Sequence, residues 1–178
     1  MPPLPHRAAA VVSTGDELIL GQALDTNSKW LSERLLSLGV PVVEHVTLGD
    51  DLPALVAALR RLAERTDLVV LTGGLGPTAD DLTRAALAQA SGDTLVEDPE
   101  SLAQIESWYA SRKRPMPALN RVQAQRPSRA RALPNDRGTA PGLHAVLSAG
   151  DSHADVFCLP GPPMEMVPAN SRVPSLAR

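Results

Sequence analysis

The sequence is poor in the groups that staple or decorate small folds. Its single cysteine, Cys158, cannot form an internal disulfide and has no second thiol with which to build a metal cage, so the core alone must hold the fold. Four aromatic residues, Trp30, Trp108, Tyr109 and Phe157, leave few stacking platforms for single-stranded nucleic acid, and a nucleic-acid partner is not expected. No apolar run approaches the roughly 20 residues that cross a bilayer, and the opening MPPLPHRAAAVVSTGDE lacks a cationic segment followed by an apolar stretch. No membrane partner is expected, and the expected location is the cytoplasm. The histidines His6, His45, His144 and His153 show no ligand spacing, and Cys158, within VFCL, reads as a core residue. There is no G-x-S-x-G elbow, so a serine nucleophile has no support.

What is present is ordinary for a globular chain: 178 residues, 43% apolar, 21% charged, net charge −3. That size suits one domain over 1–178, with 167–178 expected as a truncated or frayed tail. Charge is unevenly spread. Between Arg112 and Arg137 eight cations stand against the single acid Asp136, a local +7. Either this segment faces the acidic remainder or shares an anionic ligand with it, or it is a solvated face in a chain with 15 arginines and 2 lysines.

The first two thirds alternate between strand and helix patterns. Ala8 to Ser13 reads as a strand buried on both faces and stopped at Thr14-Gly15-Asp16. Asn27 or Ser28 is placed to cap a helix carrying Trp30, Leu31, Leu35 and Leu38 and ending at Gly39. Pro41 to Leu48 is the next strand, and Gly49-Asp50-Asp51-Leu52-Pro53 supplies a cap and an early proline for a helix with Leu52, Leu55, Val56, Leu59 and Leu62 on one face. Asp67 to Thr72 is a central strand, followed by a glycine loop and a helix from Asp80 to Ala90. Three such units predict a doubly wound, mostly parallel sheet. Further on, helices are predicted over Pro99 to Ser111 and around Met116 to Gln125. Strands are predicted at Ala132-Leu133, Gly142 to Ala149 and Ala154 to Leu159, the last two as a hairpin or adjacent edge strands.

Ligands of such sheets bind beyond the carboxyl ends of the strands, and three polar loops lie there: Thr14-Gly15-Asp16-Glu17, Gly49-Asp50-Asp51 and Thr72-Gly73-Gly74-Leu75-Gly76-Pro77-Thr78-Ala79-Asp80-Asp81. The third lets backbone approach a ligand closely and aims a helix start at it, which suits phosphate. Its two carboxylates repel phosphate unless a divalent cation of the magnesium type lies between, so a metal-bridged phosphate or diphosphate is favoured over Asp80 or Asp81 acting only as a helix cap. The loop has neither the lysine of a P-loop nor the glycine spacing of dinucleotide folds.

The strings TGDELILGQALDTNSKWLSERLLSLGV, LGDD, TGGLGPTADDLT, NRVQA, LPNDRGTAPGL and LPGPPMEM, in that order from about Ala8 to Met166, resemble the amino-terminal domain of the CinA (competence/damage-inducible) family, in the molybdopterin-binding MoaB/MogA-like superfamily. The resemblance implies a three-layer α/β/α, MogA-like domain and metal-dependent hydrolysis of the ADP-ribose diphosphate to AMP and ribose 5-phosphate. Asp50, Asp80 and Asp81 become the catalytic candidates, with Asp80 and Asp81 holding the cation and Asp50 or Asp16 completing its shell or orienting water. Gly15, Asp16, Glu17, Asn27, Gly73, Gly74, Gly76, Thr78, Asn120, Asn135, Thr139 and Gly161 become the ligand- and phosphate-binding candidates. Arg137 or Arg121 is the candidate to neutralise a leaving phosphate.

The rival readings are a molybdopterin-binding protein of cofactor biosynthesis, adenylyltransferase-like, with molybdopterin as its ligand, and a non-catalytic nucleotide- or pterin-binding module. Leu75 and the wording G-P-T-A-D-D resemble CinA rather than the G-G-T-G of the cofactor branch. The superfamily also makes a homo-oligomer plausible. CinA proteins commonly continue into a nicotinamide mononucleotide deamidase domain that has no counterpart in this sequence, so amidohydrolase activity is not implied. A naturally short protein and a piece of a longer one both stay open.

Overall fold

Strand residues at successive positions are apolar because both faces of the central sheet are covered. The computed structural model describes residues 6–170. Strand β1 (Ala9–Thr14) turns Ala10 and Val12 to one core and Ala9 and Val11 to the other, all of them fully buried. The same two-residue alternation sends Val69 and Leu71 of β3 (Leu68–Thr72) one way, and Leu68 and Val70 the other. On the first face lie Leu55, Leu59 and Leu62 of helix α3 (Leu52–Ala63) and Leu87 of helix α4 (Thr83–Ala90). Leu31 and Leu35 of helix α2 (Thr26–Ser37) and Met166 of helix α6 (Pro163–Asn170) cover the second. This is the expected three-layer α/β/α arrangement.

The sheet has six strands in the order β2-β1-β3-β8-β7-β6, where β2 is Val42–Leu48, β6 is Arg131–Leu133, β7 is Gly142–Ala149 and β8 is Ser152–Leu159. β2, β1, β3 and β8 run parallel, and β7 is antiparallel to both β8 and β6. The sheet is therefore mostly parallel, as expected. The last two long strands do form a hairpin, but β8 is interior, between β3 and β7. Its residues 154 and 156–159 are buried because helices cover both faces there.

Several boundaries differ from the sequence reading. A short helix α1 (Asp16–Ile19) occupies what reads as loop. The cap of α2 is Asp25, whose Oδ1 accepts from the Ser28 amide at 2.9 Å, and neither Asn27 nor Ser28. Helix α4 starts at Thr83 rather than Asp80. Ala118–Ala124 is a 3-10 helix. Three-residue strands β4 (Leu95–Glu97) and β5 (Gln125–Pro127) pair in a separate sheet, too short for any periodicity to betray them. Positions 167–170 of the expected frayed tail continue α6, whereas 171–178 lie outside the described residues.

The basic segment meets the acidic one. Arg121 makes a two-pronged contact with Glu97 at 2.6 and 2.7 Å, Arg126 bonds Asp98 at 3.0 Å, and Arg129 lies 3.4 Å from Asp93. Asp98 caps helix α5 (Pro99–Ser111), so one carboxylate closes a helix and anchors an arginine. Burial pushes the Cys158 thiol up to about 12, in keeping with an inert core residue. Among the described residues no helix is long and apolar enough to cross a membrane.

Candidate functional site

In the sheet β1 has β2 on one side and β3 on the other, so successive crossovers leave it in opposite directions. That reversal opens a crevice beyond the carboxyl ends of β1 and β3, where α/β sheets bind ligands. A cleft of about 490 Å³ lies there. Its floor is Ser13 and Thr14 at the end of β1 with Gly15, and Thr72 at the end of β3 with the loop to Gly76. Asn27 braces it, donating its side-chain amide to Thr72 Oγ1 at 3.1 Å and to the Gly161 carbonyl at 2.7 Å. With both N–H groups spent, only the Asn27 side-chain oxygen is left for a ligand.

The glycine loop doubles back on itself. Gly73 and Gly74 have φ of 102° and 63°, in the left-handed region. A Cβ at Gly73 would stand 2.5 Å from the Thr14 carbonyl, and one at Gly74 2.5 Å from Thr83 Oγ1. The Gly73 amide bonds the Leu159 carbonyl at 3.1 Å, and the Gly76 amide bonds Asp81 Oδ1 at 2.7 Å. Between them, among the described residues, the amides of Gly74 and Leu75 have no hydrogen-bond partner. Unpaired backbone N–H groups lining a cleft are ready to donate hydrogen bonds to an anion's oxygens.

Among the described residues five carboxylates line the cleft, namely Glu17, Asp25, Asp50, Asp80 and Asp81, and no arginine, lysine or histidine does. They do different things. Asp25 caps α2 and also accepts the Ser28 hydroxyl at 2.6 Å. Asp81 is absorbed by the loop: its Oδ2 accepts both the amide and the hydroxyl of Thr78, at 2.8 and 2.6 Å, in addition to the Gly76 bond. It reads as a latch of the loop rather than an open cation ligand, which revises its expected part. Asp80 is exposed. Asp50 has its carboxyl raised above the ordinary value, first by partial burial and then by the charges of Asp16, Asp80 and Glu17, against the opposing backbone bond in the Asp16 contact. Among the described residues no three His, Cys, Asp or Glu side chains form a ready metal cage.

Of the residues expected to bind, Gly15, Glu17, Asn27, Asp50, Gly73, Gly74, Gly76, Asp80, Asp81 and Gly161 line the cleft. The others do not. Asp16 accepts the Asp50 amide at 3.0 Å, and Thr78 serves Asp81. Asn120 is buried, donating to Gln123 Oε1 at 2.8 Å. Asn135 is buried too, tying the Ala140 carbonyl at 2.9 Å to Glu165 at 2.7 Å. Thr139 stands in that same loop, outside the cleft lining. Arg121 is bound to Glu97, and neither it nor Arg137 lines the cleft, so neither is placed to neutralise a phosphate there. The sequence reading missed Leu18, Ala23, Leu24, Pro162 and Pro163, which give the cleft apolar walls. Only their proximity to Gly15 and Gly161 could have pointed to them.

The chain matches the family model described as "Probable molybdopterin binding domain" over residues 10–176. It is 48% identical over 160 residues to a putative competence-damage inducible protein of Symbiobacterium thermophilum, covering 90% of this chain and 37% of that protein. It is 42% identical over 158 residues to a CinA-like protein of Deinococcus radiodurans, covering 89% and 39%. The chain thus spans about two fifths of the length of these curated relatives. Among solved structures, CinA of Thermoplasma acidophilum, described as of unknown function, superposes with a TM-score of 0.86 at 32% identity, covering 97% of this chain and 98% of that one. The tungsten cofactor synthesising protein MoaB of Pyrococcus furiosus shares the fold, with a TM-score of 0.61 at 19% identity over 99% of this chain and 96% of its own. A sequence match across residues 10–176, CinA-like relatives above 40% identity and a CinA fold that coincides over nearly its whole length establish that the chain belongs to the probable molybdopterin-binding domain family, as a CinA-like member.

Proposed function

We propose that the cleft binds a phosphate-bearing heterocyclic small molecule, a pterin or a nucleotide, with its phosphate on the Gly74 and Leu75 amides. The observation that carries this is the pair of unpartnered amides beside carboxylates at the reversal of the sheet. The family description, a molybdopterin-binding domain, supports the same ligand class. Leu18, Leu24, Pro162 and Pro163 offer a flat ring an apolar bed. Because no cationic side chain among the described residues lines the cleft, a phosphate held near Asp50 and Asp80 would call for a divalent cation to offset their charge. Those two carboxylates suit such a cation better than Asp81, whose oxygens are already occupied. A magnesium-type ion takes one or two carboxylates plus phosphate oxygens and water, so no closed protein cage is required.

The test is calorimetric titration with AMP and with a molybdopterin-type pterin phosphate, with magnesium present and then removed by chelator. Saturable, chelator-sensitive binding of either ligand supports the reading, and no binding of either with any divalent cation overturns it.

A second reading has its own observation, the carboxylates crowded around Asp50. It is hydrolysis of the ADP-ribose diphosphate to AMP and ribose 5-phosphate. A cation held by Asp50 and Asp80 would neutralise charge on the diphosphate and lower the pKa of water near it. Asp50 accepts a hydrogen bond from the attacking water and orients it toward phosphorus, and the Gly74 and Leu75 amides hold a phosphate oxygen as charge builds on it. Water adds to one phosphorus, the bridging P–O bond breaks, and the bridging oxygen leaves on the other phosphate. Chromatography of ADP-ribose incubations decides it: chelator-sensitive release of AMP supports catalysis, whereas binding without AMP release leaves a binding module.

A further inference from the structure

Arg84 is a buried charge for which the proposed ligand chemistry has no direct use. It lies in α4, is 4% exposed, and donates Nη1 to the Leu75 carbonyl at 2.7 Å and Nη2 to the Gly76 carbonyl at 2.6 Å. Next to it the fully buried Thr83 donates its hydroxyl to the Gly73 carbonyl at 2.8 Å and its amide to the Gly74 carbonyl at 3.1 Å. Carbonyls 73 to 76 are therefore all drawn toward two adjacent residues at the start of one helix. In an extended strand successive carbonyls alternate in direction. The left-handed φ of Gly73 and Gly74 is what breaks that alternation.

The consequence falls on the amides. In a trans peptide the N–H points opposite to the carbonyl of the preceding residue, and no cis peptide bond occurs among the described residues. With the carbonyls of Gly73 and Gly74 pulled toward Thr83, the N–H groups of Gly74 and Leu75 face away from α4, on the side of the cleft those residues line. The Gly76 N–H, turned by the Arg84 bond to Leu75, is taken by Asp81, and Pro77 has none. Of the loop amides from Gly73 to Gly76, those of Gly74 and Leu75 alone are left for a ligand among the described residues.

We propose that Thr83 is a positioning residue that aims the Gly74 and Leu75 amides at a ligand phosphate, while Arg84 holds the next two peptides of the loop and so hands the Gly76 amide to Asp81, an assignment that rests on the phosphate reading of the cleft. Neither residue lines the cleft, and both act through backbone they hold from behind. The probe is inorganic pyrophosphate with magnesium, followed by calorimetry and by the backbone amide resonances of Gly74 and Leu75. In the unaltered chain both resonances shift on titration. Thr83→Val, close in volume but without the hydroxyl, weakens pyrophosphate about tenfold and blunts the two amide shifts, and Thr83→Ser restores both. A folded Thr83→Val that binds pyrophosphate as the unaltered chain does, with both amide shifts intact, overturns the positioning role while leaving the phosphate reading in place. Failure of the unaltered chain to shift either amide overturns the phosphate reading and the positioning role with it.

Discussion

Asp81 accepts the Gly76 amide at 2.7 Å through one carboxylate oxygen and takes both donors of Thr78 on the other. The loop that reaches for a ligand is thus tied by its own last acidic residue. Asp81→Asn keeps one acceptor oxygen and sets an amide donor against N–H groups. The expected result is a loss of about 1 kcal/mol in denaturant unfolding, because the site is partly exposed. Pyrophosphate affinity in magnesium should fall together with the unfolding midpoint, and a loss of affinity with the midpoint unchanged would return Asp81 to the role of cation ligand.

Asp50 carries the opposite expectation. Its carboxyl is raised, so it contributes stability below the ordinary carboxylate range and becomes a cost once the pH rises through its folded value. Removing the charge relieves the burial cost and the repulsion from Asp16, Asp80 and Glu17. Asp50→Asn should therefore melt no lower than the unaltered chain at pH 7, and higher in the absence of cation, yet lose magnesium-dependent ligand binding. Thermal melts with and without magnesium test both halves.

Asp155 sits between two imidazoles, bonded to His144 Nε2 at 2.6 Å and His6 Nε2 at 2.9 Å. His144 stacks on Phe157 with ring centroids 4.4 Å apart. The His144 bond first, and the His6 bond second, hold the Asp155 carboxyl well below the usual range. A depressed carboxyl stabilises fully above its unfolded value of about 3.9 and loses that contribution as pH falls below it. Urea midpoints measured from pH 6 down to pH 3 should drop for the unaltered chain. They should drop less for Asp155→Asn, so the gap between the two narrows in acid.

Asp98 is 9% exposed, caps α5 through Ser101 and holds Arg126 at 3.0 Å. Asp98→Ala removes a cap and leaves a half-buried guanidinium without its carboxylate, for an expected loss of about 2 kcal/mol. Ligand binding should be unchanged, since neither Asp98 nor Arg126 lines the cleft. Chemical denaturation alongside ligand titration checks the pair of outcomes.

Much of the fold is legible because burial repeats along the chain at the period of each element. The buried strand Leu68–Thr72 announces itself by five consecutive buried residues, and α3 by leucines at helical spacing behind Asp51 and Pro53. The glycine loop and the two strand ends that frame the cleft are legible for a related reason: chain reversal after a buried strand demands glycine and polar groups at particular places. Element ends, caps and the three-residue strands are not legible, since Asp25, Asn27 and Ser28 are equally good caps by composition and only packing selects Asp25.

The sequence by itself determined the α/β class, the mostly parallel sheet and the loops at its carboxyl edge, because hydrophobic period and turn chemistry are local. Which side chains meet was decided by the tertiary structure alone. It removed Asn120 and Asn135 from the cleft and paired Arg121 with Glu97. It also spent Asp81 on its own loop and turned Thr83 and Arg84 onto four carbonyls that leave two amides free. Hydrogen-bond direction depends on the orientation of each peptide in space, and spacing along a chain does not encode it.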